Sequence, residues 1–575
     1  MDRKPVYNFL TRARALFTER RELHEAMSVE ETVSKPPESR ARHCFRWHVA
    51  VLLLILVFFG VVRWRLAGIP LERDEGEYAY AGQLLLQGIP PYQFAYNMKL
   101  PGTYAAYAVI MAVLGQTPQG IHVGLLLVNA ATVVLIYFLA ARLFGTLAGT
   151  VAAATYALLS THQSTLGFAA HATHFVVLAA IAGLILLLRA DERGKLSAFF
   201  CSGLLFGLAF LMKQPGIFLG AFAFLYLIFC HWRRPGIEWA RLGQQAGVFL
   251  LGCASPFVLT CILLWRAGVF KNFWFWTFSY ARQYASSVSP KDGWELFTYH
   301  VWPILGAAAG VWIIALIGLT ALLWHPPARR HAVLIVGLFV FSCLAVCPGL
   351  YFRSHYFVLA LPPIALLTGI GVASAVSLPA AKETHFLIRM IPVIVFVLAC
   401  GWAIGKNANY YFYLSPLQAC RKTYRLDSPF PEALPIADYL LQHTTPTDRI
   451  IVLGSEPEIY FYAHRRSASG YIYIYGLMEN QPYWEEMQKQ MIGEIEAHRP
   501  AYLVYVNDPA SWLTTMGSSR LAPFLDWANP YVKSHYEKVG LVELAEPESR
   551  YVWGDAARGA WPQAQYQVSI FKRKE

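Results

Sequence analysis

The chain has 575 residues, of which 56% are hydrophobic and only 15% charged, and a formal net charge of +12. Water-soluble domains carry about 25% charged residues, and the apolar residues here gather in runs of roughly 16–22, the length that crosses a bilayer as a helix. This balance excludes a soluble globular protein. Lys and Arg on the cytoplasmic side of membrane helices account for the basic surplus, so nucleic acid is not an expected partner.

Residues 1–47 are basic, with Arg3, Lys4, Arg12, Arg14, Arg20, Arg21, Arg40, Arg42 and Arg46, and are expected to stay in the cytoplasm. No cleavable signal sequence is expected, because a long polar stretch precedes the first apolar run. A first span over about 48–67 leads into LERDEGEYAYAGQLLLQGIPPYQFAYNMKLPG, residues 71–102. Here Asp74 fits a helix N-cap and Glu77 the third helical position, a capping-box spacing. That leaves Glu75 without an obvious partner. It also leaves Lys99, between Met98 and Leu100, which either snorkels to the interface or neutralises an anion in an outward cavity.

The next apolar segment, 103–115, has about 13 residues, which is short for a span. If it crossed, the basic loops 191–195, 231–241 and 325–331 would all lie outside, against the positive-inside rule. Taken as an interfacial or re-entrant helix, it leaves further spans near 121–141, 146–161, 174–190, 197–212, 215–231, 246–266, 303–324, 332–348, 356–377 and 388–405. The expected architecture is a polytopic α-helical membrane domain, 48–405, with about eleven transmembrane helices. Its outer pieces are 68–120, 162–173, 267–302 and 349–355.

Several outer pieces carry charge. In GFAAHATHF, His171 and His174 are spaced to share a helix face, although zinc needs three or four ligands. MKQPG places Lys213 at an outward hairpin. GLYFRSHYF brings Arg353, His355 and Tyr356 to an outward helix start. Lys213 and Arg353 read either as interfacial anchors or as phosphate contacts, for which the planar guanidinium fork is well suited. The aromatic run 270–285 fits an interfacial belt.

Residues 406–575 follow the last span and are expected outside, as an α/β domain. Residues 431–444 and 483–499 read as helices, and 449–455 and 500–508 as buried strands. Gly454 follows a strand, but no GxGxxG or phosphate-loop pattern accompanies it. Most cysteines lie in apolar runs, and Cys420 is the one in the polar C-terminal region.

The motifs DEGEYAYAGQLLLQGIPPY…KLPG, GLAFLMKQPG, RSHYFVLALPPIALLTG and DRIIVLGSEPEIYFYAHRR resemble the GT-C superfamily of integral-membrane glycosyltransferases. The resemblance covers most of residues 48–510. It is nearest to bacterial relatives of the protein O-mannosyltransferases and the lipid A aminoarabinose transferase. It implies transfer of a hexosyl or pentosyl group from a polyprenyl-phosphate sugar to an acceptor hydroxyl, at the periplasmic or outer face of the inner (plasma) membrane. It implies Asp74 as catalytic base with Glu75 beside it and Lys99 as a phosphate or acid-orienting contact; Lys213, Arg353, His355, Tyr356, His171 and His174 are read with them as substrate contacts. The aromatic run 270–285 would cover the donor sugar or its isoprenoid. A divalent cation, Mg or Mn, is a candidate cofactor with Asp74 and Glu75 as candidate ligands. Relatives carry Asp, Asn or Glu in the region of His171 and His174, so the metal assignment stays open. The rival readings are a multi-pass transporter or lipid flippase, which would place charges near mid-bilayer, and a non-catalytic scaffold.

Overall fold

The structure, a computed structural model, describes residues 38–234, 236, 238–378, 386–513 and 520–575. Residues 1–37 of the expected basic N-terminal segment lie outside these. The chain divides into a unit ending at Leu53, described as the first part of one helix, and a unit from Leu54 to Glu575 that holds every other element.

The apolar runs form helices in the expected order. They are α1 (Glu38–Arg65), then, beyond a polar helix α2 (Arg73–Leu86), α3 (Gly102–Leu114), α4 (Pro118–Phe144), α5 (Thr146–Ser160), α6 (Ala172–Arg193), α7 (Leu196–Met212), α8 (Gly216–Trp232) and α9 (Trp239–Arg266). Next come α10 (Pro290–Ala307), α11 (Ala309–Trp324), α12 (Ala332–Val346), α13 (Leu361–Ser377), entered through a 3₁₀ turn at Ser354–Ala360, and α14 (Phe386–Lys406). Leu251 and Trp265 on α9 and Leu398 and Trp402 on α14 are 62–70% exposed, an apolar surface suited to lipid.

The apolar runs expected to give about eleven crossings form helices of unequal length. Among the described residues six helices are long and apolar enough to cross a membrane, or seven if α10 and α11, bent by 95°, form one span. The runs at α5, α7, α8 and α12 give helices of 15–17 residues, about 22–26 Å at a rise of 1.5 Å per residue, against a hydrocarbon core of about 30 Å. Hydropathy counts apolar residues through a turn, whereas the backbone ends the helix at it. Gly145, with φ 92°, separates α4 from α5, and Lys213, in an extended conformation, ends α7.

Close helix crossings depend on small residues, as in membrane bundles. Where α7 meets α9, a Cβ on Gly203 would lie 2.1 Å from the Phe249 carbonyl oxygen, and one on Gly252 would lie 2.3 Å from that of Phe200.

The C-terminal region carries α15 (Phe430–His443), β1 (Arg449–Leu453), α16 (Glu458–Ala463), β2 (Arg466–Ser467), α17 (Trp484–His498), β3 (Tyr502–Asn507), α18 (Leu521–His535), β4 (Tyr536–Glu543), β5 (Arg550–Trp553) and β6 (Gln567–Arg573). The six strands form one sheet in the order β2-β1-β3-β6-β4-β5. The half containing β2, β1 and β3 is parallel, as the strand–helix–strand pattern indicated, and the remaining pairings are antiparallel.

The α7–α9 crossing gives a signed expectation. Gly203→Val forces the two backbones apart, at about 1–3 kcal/mol for overpacking. Gly247→Ala, on the same α9 but with no atom within 4 Å of its would-be Cβ, gains about 0.5–1 kcal/mol from helix propensity. Thermal unfolding in detergent should move in opposite directions for the two variants.

Candidate active site

The site starts from the first turn of α2. Glu72, in extended conformation, is its N-cap: its carboxylate accepts from the Glu75 amide at 3.0 Å, and the Glu75 carboxylate accepts from the Glu72 amide. The expected cap, Asp74 with Glu77, is therefore displaced by two residues. Capping preference favours Asp over Glu, so the shorter acid drew the assignment, while the longer Glu72 makes the bond.

The shift frees Asp74 and Glu77, which sit on one face of α2 a turn apart. Lys99 bridges them, with Nζ 2.7 Å from Asp74 Oδ1 and 2.6 Å from Glu77 Oε2. Tyr104 donates to the other Glu77 oxygen at 2.6 Å. The Lys99 ammonium lies 4.6 Å from the Tyr78 ring centroid, and Tyr92 holds the Lys99 carbonyl at 2.7 Å. Lys99 is thus the counter-ion of the acid pair. Burial opposes its charge, yet Asp74 and Glu77 outweigh that and hold the ammonium well above its usual range. Burial would raise Asp74, but Lys99, His171 and Arg353 hold it well below the usual carboxylate range.

Glu75 takes another course. Its Oε1 accepts from the Ala170 amide at 2.6 Å and lies 2.9 Å from His122 Nε2, whose other ring nitrogen is 2.8 Å from the Ala67 carbonyl. Buried and fully engaged, Glu75 ties α2 to α4 and to the segment before α6. It does not line the cavity described below, so the expectation that it shares catalysis or a metal with Asp74 is not supported by its placement.

The histidines separate for a related reason. His171 is the N-cap residue of α6, in a non-helical conformation, so the helical i, i+3 relation to His174 does not apply. His171 stacks on His355, with ring centroids 3.8 Å apart and an interplanar angle of 12°. His171 Nδ1 and His355 Nε2 each lie 3.9 Å from Asp74 Oδ2. His174 instead turns to Asn129, 3.2 Å away. Burial pushes His171 down to about 4, which keeps it neutral at pH 7.

Asp74, Lys99, Lys213, Arg353, His355 and Tyr356 line one cavity of about 200 Å³. Lys213 lies 3.8 Å from the Tyr356 ring centroid, and the Arg353 guanidinium lies 5.6 Å from that of Tyr351. Neither cation has an ion-pair partner among the described residues. Trp276, Tyr280 and Tyr284, from the aromatic run 270–285, also line the cavity.

The opposite wall comes from the C-terminal region, as Tyr473, Tyr475, Gly476 and Glu479. Glu479 accepts a hydrogen bond from the Tyr280 hydroxyl, and burial raises its pKa. No motif marks these residues, since they follow β2 in an irregular stretch with one short helix.

Lys213 offers a direct check on the electrostatics. Burial, with Lys99 and Arg353 adding to it and Asp74 opposing, pushes its ammonium down to about 7. Only the neutral amine acylates, so competitive acetylation of Lys213 should reach half-maximum near pH 7, far below surface lysines. Because Asp74 is the group that raises it, Asp74→Asn should move this midpoint lower. A midpoint near the free lysine value of about 10.4 would contradict the desolvated placement.

The profile of the Dolichyl-phosphate-mannose-protein mannosyltransferase family matches residues 99–280, which include Lys99 and Lys213 but neither Asp74 nor Arg353. No curated protein matches the sequence. Among solved structures, ArnT from Cupriavidus metallidurans bound to undecaprenyl phosphate is 16% identical with a TM-score of 0.54, covering 91% of this chain and 97% of its own. The apo form of the same protein gives 16% and 0.54, covering 92% and 98%. The oligosaccharyltransferase AglB from Archaeoglobus fulgidus is 12% identical at a TM-score of 0.48, covering 92% and 76%. The chain thus shares the fold of ArnT, and its residues 99–280 are similar to the Dolichyl-phosphate-mannose-protein mannosyltransferase family.

Proposed function

We propose that the chain transfers a sugar from a polyprenyl-phosphate donor to an acceptor hydroxyl at the outer face of the membrane. The observation that carries this reading is the single cavity in which Lys213 and Arg353, two cations without an ion-pair partner among the described residues, meet an ionised carboxylate, Asp74. The ArnT structure with undecaprenyl phosphate supports a polyprenyl phosphate as the leaving group. The outer-face assignment rests on the distribution of basic loops.

The reaction is a direct displacement. The acceptor oxygen attacks the anomeric carbon, the bond from that carbon to the phosphate oxygen breaks, and polyprenyl phosphate leaves with the electron pair. Arg353 and charged Lys213 stabilise the phosphate as its charge grows in the transition state. The acceptor proton passes to Asp74. A carboxylate held so low is a weak base, but the acceptor oxygen becomes an oxonium as its new bond forms, and an oxonium is a far stronger acid than a carboxylic acid. Lys99, paired with Asp74 and Glu77, keeps Asp74 ionised and oriented and is not a phosphate contact in this scheme.

A cation fits the same corner. Asp74, His171 and His355 each offer a ligand atom, all within 4.8 Å of one another. Among the described residues, both His171 ring nitrogens and His355 Nδ1 are buried without a hydrogen-bond partner. Two imidazoles suit Zn or a similar transition ion, and the oxygen-seeking Mg expected earlier is disfavoured. Bound there, the ion would supply Lewis-acid stabilisation of negative charge.

The test uses membranes containing the full chain and a panel of undecaprenyl-phosphate monosaccharides, with released undecaprenyl phosphate read by mass spectrometry. At least one donor should be consumed. Asp74→Asn should reduce the rate by about 10²–10⁴-fold, the contribution of a positioned base. Glu72→Gln retains a capping oxygen and should be mild. Consumption of no donor, or a fully active Asp74→Asn enzyme, would contradict the proposal.

A further inference from the structure

The helix that presents Asp74 has a second face. Arg73, Gly76, Tyr80 and Gln83 fall at steps of three or four residues, one stripe along α2, and each meets the C-terminal domain. A Cβ on Gly76 would lie 2.6 Å from the Glu458 amide nitrogen, so only glycine admits this approach. The Tyr80 hydroxyl accepts from the Ser467 amide at 2.9 Å. Gln83 Nε2 donates to the Phe461 carbonyl at 3.3 Å and lies 2.8 Å from His464 Nδ1.

Arg73 makes the deepest of these contacts. Its Nε donates to the Ser455 carbonyl at 2.6 Å, Nη1 to the Tyr475 hydroxyl at 2.9 Å and Nη2 to Glu456 Oε1 at 2.8 Å. Phe430 and Tyr475 flank the guanidinium, each with its ring centroid 5.5 Å away. The Glu456 side chain is fully buried, and its other oxygen accepts from Ser511 at 2.8 Å. Ser455 and Glu456 follow β1, and Ser511 lies just beyond β3. In a doubly wound sheet this position, at the carboxyl ends of two parallel strands where the order reverses, is where ligands bind. Here Arg73 of the membrane-side helix reaches that position.

We propose that Arg73 is a positioning residue: by locking α2 into the C-terminal sheet, it fixes the rotation at which Asp74 faces the cavity. The C-terminal domain then acts on transfer through α2 as well as through its own cavity wall. Arg73 and Asp74 are adjacent, so a change in how the first sits turns the second. The inference rests on the reading of Asp74 as a group of the transfer site.

The test measures kcat and KM for the donor consumed most rapidly in the panel above, per folded enzyme, for Arg73→Gln, Arg73→Lys and Glu456→Gln in the full chain. Glu432→Gln is the control: it weakens another buried ion pair of the same domain, to Arg421, together with a bond from Ser549, neither partner lying on α2. Arg73→Gln should lower kcat by about 10–100-fold, the scale of a one-ångström misplacement, with KM little changed. Arg73→Lys should recover part of the loss, since lysine restores the charge without the fork. Glu456→Gln should lower kcat in the same direction, and it carries the test if Arg73→Gln does not fold. Glu432→Gln should lose thermal stability and keep its kcat. Wild-type kcat in Glu456→Gln, or equal kcat losses in Glu456→Gln and Glu432→Gln, would overturn the latch. Wild-type inactivity or a fully active Asp74→Asn enzyme would instead overturn the transfer-site reading, and the latch with it.

Discussion

Two carboxylates one helical turn apart, both shielded from water, repel each other and lose hydration. Lys99 resolves this at Asp74 and Glu77, and much of the surrounding structure follows from its being there. The chain after α2 has to fold back across the helix so that residue 99 reaches residues 74 and 77. That return is fixed by Tyr92 on the Lys99 carbonyl, by Gln214 donating to the Met98 carbonyl at 2.7 Å and by Asn272 donating to the Tyr92 carbonyl at 3.2 Å. The turn between α7 and α8 and the aromatic run after α9 are thereby tied to the acid pair. Breaking a buried pair leaves an uncompensated charge, so this triad anchors the loop.

Once Lys99 is committed to the acids, the division of labour around the cavity is clear. Negative charge sits on α2, and Lys213 and Arg353, cations without an ion-pair partner among the described residues, sit on other elements facing the same space. The stacked imidazoles of His171 and His355 fill the corner beside Asp74. The C-terminal domain closes the space with Tyr473, Tyr475 and Glu479 and grips the back of α2. A group that needs both charge and exact orientation is thus held from two sides, by ion pairing on one face and by backbone contact at Gly76 on the other.

Much of this was legible in the sequence. Apolar run length gave the membrane class and the order of the helices, because burial in lipid imposes a nearly uniform apolar composition. The parallel half of the sheet followed from two β-rich runs flanking a helix. Asp74, Lys99, Lys213 and Arg353 stood out because charges are costly beside apolar spans. Other features were hidden for physical reasons. The cap at Glu72 competes with a better-capping neighbour two residues later. His171 and His174 diverge because the helix starts between them. His122, which holds Glu75, is an ordinary polar residue in an apolar run. The last strand, β6, inserts between β3 and β4, and the Arg73 crevice exists only once β1 and β3 lie side by side.

The central claim is that a lipid phosphate sits in this cavity between Arg353 and Lys213, opposite an Asp74 still paired with Lys99. A cryo-electron-microscopy structure of the full chain in lipid nanodiscs with undecaprenyl phosphate tests it most directly. The account predicts phosphate density within hydrogen-bond distance of Arg353 and Lys213, about 2.7–3.2 Å, with the Lys99 bridge to Asp74 and Glu77 intact. Phosphate bound outside this cavity, or bound by Lys99 with that bridge broken, would contradict it.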